Sequence, residues 1–292
     1  MMTPERTLGP TETRLLNRLA AAGHVVFSTE QARAALGNGG QDINKLLHHL
    51  ARKRWLLRLE KGKYLILPLE AGMEGLYSAH EFVIAAHLVQ PYAIAYASAL
   101  SFHALSDLLP HTVLVVTTRR KAEVTIEALG LHFRFITLAS HKFFGIQTVT
   151  IEDQPVQITT PSKTLVDGLD RPDLCGGIVE LAKGLARYAA DGAHTATDIT
   201  QHLERDKRTG QRWAQLTSDA QRLGNRTVFK RLGYLAELLG LEAGEWLEHW
   251  RAEISPGETL LDPRYGHRGA YHAGWNLRLN VDEDRLLEWR RH

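Results

Sequence analysis

The stretch from Gln41 to Pro68, QDINKLLHHLARKRWLLRLEKGKYLILP, constrains the fold of this chain more than any other. It opens as an amphipathic helix and closes as two short β-runs, Trp55–Leu59 and Lys63–Leu67, joined around Glu60-Lys61-Gly62. Ile43, Leu47 and Leu50 recur at the helical period and mark one apolar face. Gln41, Asn44, Lys45, His48 and Arg52 fall on the opposite face. A basic, amide-bearing helix followed by a basic hairpin is how a winged helix-turn-helix meets DNA, with the helix in the major groove and the wing on the backbone.

The segments before it complete that order. Thr11–Ala22 reads as an amphipathic helix with Leu15, Leu16 and Leu19 apolar and Thr11 as its expected N-cap. Gly23 ends it, and Val25–Phe27 reads as a short strand. Ser28 or Thr29 then caps a helix over Glu30–Leu36, which stops at Gly37-Asn38-Gly39-Gly40, and a third helix spans Asp42–Arg54. Helix, strand, helix, turn, helix, hairpin is the winged-helix succession.

Beyond a linker expected at Pro68–Gly75 the pattern becomes mixed. Helices are expected over Glu74–Val89 and Ala95–Leu105, and strands over Val113–Thr118, Val124–Ala128, His132–Thr137, Thr148–Glu152 and Val156–Thr159. Pro161–Leu169 opens a further helix with Pro in its first turn. From Leu174 the chain reads as mainly helical, over Gly177–Ala190, Thr197–Glu204, Gln211–Leu223, Thr227–Leu239 and Ala243–Ile254, with an irregular tail holding one strand at Asn276–Leu279. The expected class is therefore α+β: a winged helix-turn-helix over residues 1–70, a mixed α/β domain over 71–170, and a mainly helical region over 171–292 packed with the middle one.

Charge divides along the same lines. Residues 1–70 hold 11 Lys and Arg against 6 Asp and Glu, residues 71–170 hold 6 against 9, and residues 171–292 hold 18 of each. Such asymmetry suggests a nucleic-acid partner for the first segment. No signal peptide or membrane-length apolar run is visible, so a cytoplasmic location is expected and no membrane partner. Cys175 is the sole cysteine, which excludes an internal disulfide and a thiolate-rich zinc site.

The chain resembles the AbiEi antitoxins, the DNA-binding partners of nucleotidyltransferase toxins in bacterial two-gene modules. Three places carry the likeness: Trp55-Leu56-Leu57-Arg58-Leu59-Glu60-Lys61-Gly62-Lys63-Tyr64; the run Tyr96-Ala97-Ser98-Ala99-Leu100-Ser101-Phe102-His103-Ala104-Leu105 followed by Val113–Thr118; and Arg231-Leu232-Gly233-Tyr234-Leu235. Their order and spacing cover nearly the whole chain. The resemblance implies an N-terminal winged helix that represses its own operon on double-stranded operator DNA, where a multimer is one option, and a remainder that counteracts the toxin, by direct contact or otherwise. A regulator whose central domain binds a small molecule is the alternative.

Within this frame Gln41, Asn44, Lys45 and His48 are the expected base-contacting residues. Gln and Asn suit adenine, Lys suits guanine, and the early turns of a recognition helix reach base edges. A merely solvated helix face is the competing reading. Ser28, Thr29, Arg52, Lys53, Arg54, Arg58, Lys61 and Lys63 are expected to touch phosphate, which adds affinity without sequence information. A second basic concentration, Arg205, Lys207, Arg208, Arg212, Arg222, Arg226, Lys230 and Arg231, stands against Asp206 and Asp219 alone. It reads either as solvated helix faces or as a surface for toxin, RNA or flanking DNA.

Enzymatic signals are weak. Asp173 with Glu180 and Lys183 echoes a nuclease pattern, but the second acid and the lysine stand at i and i+3 in a helical run, where that chemistry needs i and i+2 on a strand. The 15 histidines form no ligand set, and no phosphate loop or nucleophile elbow is present. No catalytic residue, metal or cofactor is expected.

Overall fold

The computed structural model describes residues 7–37, 42–67, 79–190 and 199–291, and of residues 199–209 the backbone alone. The linker expected at Pro68–Gly75, the glycine turn at 38–40, Gln41, the start of the helix expected from Glu74, and the side chains of Arg205, Lys207 and Arg208 lie outside the described parts.

Helix α1 spans Pro10–Ala21, strand β1 Val26–Ser28, helix α2 Thr29–Leu36 and helix α3 Ile43–Arg52. Strands β2 (Leu56–Glu60) and β3 (Lys63–Ile66) form a hairpin. β1 adds to the far side of β3, so the three-stranded antiparallel sheet runs β1-β3-β2. Gly62, at φ +79°, supplies the left-handed conformation that the hairpin turn requires and that other residues adopt at a cost.

The caps explain where the first helices begin. Thr11 is not the N-cap of α1: Gly9 holds that position, Pro10 follows it at N1, and the Glu12 carboxylate accepts the Gly9 N–H at 2.8 Å. α2 starts with a capping box in which Ser28 Oγ accepts the Gln31 N–H and Gln31 accepts the Ser28 N–H. Asp42 caps α3 by accepting the N–H groups of Asn44 and Lys45. The apolar faces of the three helices meet sheet residues in one core: Leu15, Leu16, Leu19, Phe27, Ala32, Ile43, Leu47, Leu50, Trp55 and Leu56. Tyr64 is half-buried and stacks on Phe27 with ring centroids 5.9 Å apart.

After α4 (Glu81–Leu88) the chain builds a mixed sheet. Its strands are β4 (Ala93–Ile94), β5 (Thr112–Thr117), β6 (Val124–Ile126), β7 (Leu131–Thr137), β8 (Ile146–Ile151) and β9 (Gln154–Thr159), with α5 (Tyr96–Phe102) between β4 and β5. The sheet order is β6-β7-β5-β4-β9-β8. β4 pairs antiparallel with β5 and parallel with β9. Helices α6 (Pro161–Asp170), α7 (Ile178–Ala190), α8 (Ile199–Leu223), α9 (Thr227–Leu238) and α10 (Glu245–Glu253) follow.

Two expectations are corrected here. The helices expected at Thr197–Glu204 and Gln211–Leu223 are one continuous helix of 25 residues, α8. Gly210 within it costs a helix only about 1 kcal/mol relative to alanine. The tail, expected to hold one strand, forms a three-stranded sheet of β10 (Thr259–Leu260), β11 (Ala270–His272) and β12 (Leu277–Leu279) in the order β10-β12-β11, followed by α11 (Glu283–Leu287).

By contacts the chain falls into two compact units. The first comprises residues 1–90, 122–133 and 150–156; the second comprises 91–121, 134–149 and 157–292. In the second, α9 is buried on every side from Val228 to Ala236. Gly233 is required there, because a Cβ would lie 2.1 Å from the Trp275 indole packed on the helix.

Candidate nucleic-acid interface

The outer face of α3 is the clearest candidate. Burial of Ile43, Leu47 and Leu50 turns Asn44, Lys45, His48, His49 and Arg52 outward, and all five are exposed. The Asp42 cap fixes the first turn of α3 beneath Asn44 and Lys45; the Lys45 ammonium is 3.8 Å from the Asp42 carboxylate with its side chain 82% exposed. At that exposure the ion pair contributes little and leaves the lysine free to move. His49 was not among the residues singled out from the sequence. It lies next to His48 on the exposed side of α3.

The hairpin supplies a second set of cations. Arg58 and Lys61 are exposed, Arg58 on β2 and Lys61 at the turn. Lys63 is otherwise committed: its ammonium donates to the Leu88 carbonyl at 3.0 Å and pairs with Glu60 at 3.0 Å. Lys53 is tied as well, at 2.7 Å from Glu12 across α1 and α3. Burial opposes ionisation of Glu12, but the Gly9 N–H and the Lys53 ammonium together hold its carboxyl below the usual range. Ser28 and Thr29 also have internal roles, Ser28 in its capping box and Thr29 donating its hydroxyl to the Gly62 carbonyl at 3.3 Å. Of the residues expected on phosphate, Arg52, Arg54, Arg58 and Lys61 are therefore the exposed set.

Arg54 stands out by conformation. α3 ends with Trp55 N–H donating to the Leu50 carbonyl and Arg54 N–H to that of Ala51, which places Arg54 in the left-handed region at φ 59°. This C-terminal cap ordinarily takes glycine, as at Gly23, where the same two bonds recur after α1. Ala104 repeats the strain after α5, at φ 54°. Replacing either by glycine is expected to raise stability by roughly 0.5–1 kcal/mol, read from urea midpoints. Arg54→Gly should weaken DNA binding in the same preparation, whereas Ala104→Gly should not. Equal DNA affinity for both variants would remove Arg54 from the interface.

The second basic concentration does not hold together as a surface. Lys230 and Arg231 are 1% and 4% exposed, and this corrects their assignment to it. Lys230 donates to the Gly257 carbonyl at 2.7 Å; Arg231 donates to the carbonyls of Leu169, Leu260 and Leu261 at 2.6, 2.9 and 3.0 Å. Burial pulls the Arg231 guanidinium down to about 10. These cations close carbonyls left over at the ends of other elements, which explains the Arg231–Leu235 motif as a packing device. Arg222 is exposed with its guanidinium 4.2 Å from the centre of the Phe144 ring, Arg226 is exposed, and Arg212 is half-buried and donates to the Tyr188 carbonyl. Among the described residues no group of three or more His, Cys, Asp and Glu is placed to hold a metal. No helix among them is long and apolar enough to cross a membrane.

Residues 14–66 match the family model described as a transcriptional regulator, AbiEi antitoxin. The resemblance read from the sequence is thus borne out over this span, which contains most of α1 and all of the helices and strands up to β3. Among solved structures, the crystal structure of the RV2827C protein from Mycobacterium tuberculosis is similar with a TM-score of 0.62 at 15% sequence identity, covering 99% of this chain and 97% of that one. At that identity the likeness concerns the fold. No curated protein matches the sequence.

Proposed function

We propose that the chain is a bacterial antitoxin that binds double-stranded operator DNA through α1–α3 and the β2-β3 hairpin acting as a winged helix-turn-helix. Its other task in this reading is to counteract a nucleotidyltransferase toxin in the cytoplasm, without catalysis of its own. One observation carries the reading: the family span, 14–66, coincides with the segment that turns Asn44, Lys45, His48 and Arg52 to solvent beside the basic hairpin. α3 enters the major groove, where an Asn side chain pairs with adenine and Lys with guanine. Arg54, Arg58 and Lys61 grip phosphate on either side. Gln41, one residue before the Asp42 cap, stays in the set of proposed base contacts.

Asn44→Ala is expected to cost about 1–3 kcal/mol at the operator and nearly nothing on random DNA, measured by fluorescence anisotropy on both. An equal loss on both would reduce Asn44 to a positioning contact. The antitoxin half is tested with the full chain, the toxin being expressed from an unrelated promoter. The triple variant Asn44→Ala, Arg58→Ala, Lys61→Ala should lose repression of its own promoter yet still rescue growth. Loss of rescue in a folded triple variant would mean that protection works through DNA binding alone.

A further inference from the structure

The second unit carries an apolar projection and a recess side by side. We propose that two copies of this chain pair through them about a two-fold axis, each inserting Leu108 and Leu109 into the recess of the other. The proposal rests on no DNA contact and stands whether or not the antitoxin reading does.

Four large apolar side chains among the described residues are exposed, and Phe102, Leu108 and Leu109 are three of them. Single exposed apolar residues are ordinary on a soluble protein; neighbours in one loop are not. Leu108 is 40% and Leu109 84% exposed. The loop that presents them is fixed from below. Ser106, itself buried, donates its hydroxyl to Glu180 of α7 at 2.6 Å and accepts the Leu108 N–H at 3.1 Å. Pro110 follows and restricts the Leu109 backbone to extended conformations. The pair of leucines therefore has little backbone freedom left to lose on association.

The recess, of about 640 Å³, adjoins this projection. Its lining comes from residues 107, 176–187, 264–265 and 285–289 alone. Gly176 joins the two features: it lines the recess, and a Cβ there would lie 2.3 Å from Leu108 Cδ1. Val179, Tyr265 and Trp289, all half-buried, give the recess its apolar lining.

This arrangement selects the occupant. A surface that holds a knob beside a hole is complementary to its own copy turned about a two-fold axis, because every contact is then made twice. Charge points the same way. Asp107, at the foot of the projection, is 70% exposed, so its pairing with Arg187 is weak in water. Arg285, on the recess wall, is exposed with its guanidinium 5.3 Å from the centre of the Tyr265 ring and makes no ion pair among the described residues. Reciprocal insertion carries the Asp107 of each copy to the Arg285 of the other. A partner of one charge sign would satisfy only one of them.

Sedimentation equilibrium of the full-length protein, without DNA or toxin, should show a monomer–dimer equilibrium with a Kd on the order of 1–100 µM, as small interfaces give. Leu109→Asp should raise that Kd about tenfold or more and leave the urea midpoint unchanged, since it alters an anchor that only association buries. Leu109→Met should do neither. Asp107→Arg and Arg285→Asp should each weaken the dimer, and the two together should restore it to within about threefold of the parent, a recovery that damage to the fold cannot produce. A protein still monomeric at roughly 300 µM overturns the proposal, as does a dimer indifferent to Leu109→Asp. Failure of the double reversal to recover either single overturns it as well. So does a monomer whose rescue of growth from the toxin is lost with Leu109→Asp, which would give the projection to the toxin.

Discussion

Replacing Lys163 alone by methionine should destabilise the protein by about 3–5 kcal/mol, the cost of leaving one member of a buried ion pair without the other. Lys163 and Asp167 lie one turn apart on α6, 1% and 3% exposed, with the ammonium bonded to Asp167 Oδ1 and 4.6 Å from the centre of the Phe144 ring. The second carboxylate oxygen of Asp167 is buried without a hydrogen-bond partner among the described residues. Removing both charges together is a different change. Lys163→Met with Asp167→Leu should recover to within about 1 kcal/mol of the parent, because apolar replacement of a buried pair is often neutral. Urea midpoints of the two singles and the double close the cycle. Singles that cost under about 1 kcal/mol would show that water reaches the pair.

The same carboxyl sets a pH dependence. Burial pushes Asp167 up to about 6, against the pull of Lys163. A carboxyl raised on folding binds its proton more tightly in the native state, so its penalty is absent below its ordinary value and complete above pH 6. Stability should therefore fall from this source as pH rises from about 4 to 6, a slope that Asp167→Asn abolishes. Glu12 acts in the opposite direction: its carboxyl is depressed, and its contribution is lost as pH falls below the ordinary carboxylate range.

The second large effect is on DNA. If the exposed Arg52, Arg54, Arg58 and Lys61 are the proposed phosphate contacts, about four per protomer give a slope of log K against log[salt] near −3.6. Arg58→Ala with Lys61→Ala should flatten it by nearly 2 and weaken operator and random DNA alike. Lys53→Ala should leave the slope unchanged and lower stability, since Lys53 holds Glu12. Lys63→Ala should do likewise through Leu88 and Glu60. A slope that responds equally to all four substitutions would return Lys53 and Lys63 to the interface.

That division among four cations shows where the sequence was legible. The α3 face was readable because Ile43, Leu47 and Leu50 repeat at the helical period and a hairpin follows at once. Nothing local says that Lys53 meets a glutamate 41 positions earlier, since that contact exists only after α1 and α3 pack. Lys230 and Arg231 mislead for a related reason: charge on a helix ordinarily marks its wet side. Their neighbours carried a warning, for Val228, Phe229, Leu232, Tyr234 and Leu235 leave α9 no polar stripe, the mark of a helix buried all round. Of the small tail sheet only β12 was legible, at Asn276–Leu279; β10 and β11 were missed because strands of two or three residues are too short to show alternation.

The interleaving of the two units also sets a timetable for synthesis. The chain passes between them five times, so the first unit receives its last segment only when residue 156 has been made. Its helical core closes on residues 8–66 and is ready long before. At roughly 5–20 residues per second, the nascent chain carries that core for several seconds before the unit is whole. Release of a competent first unit thus waits on synthesis through residue 156, and a ribosome stalled between residues 67 and 150 would display the basic helix and hairpin on an unfinished body.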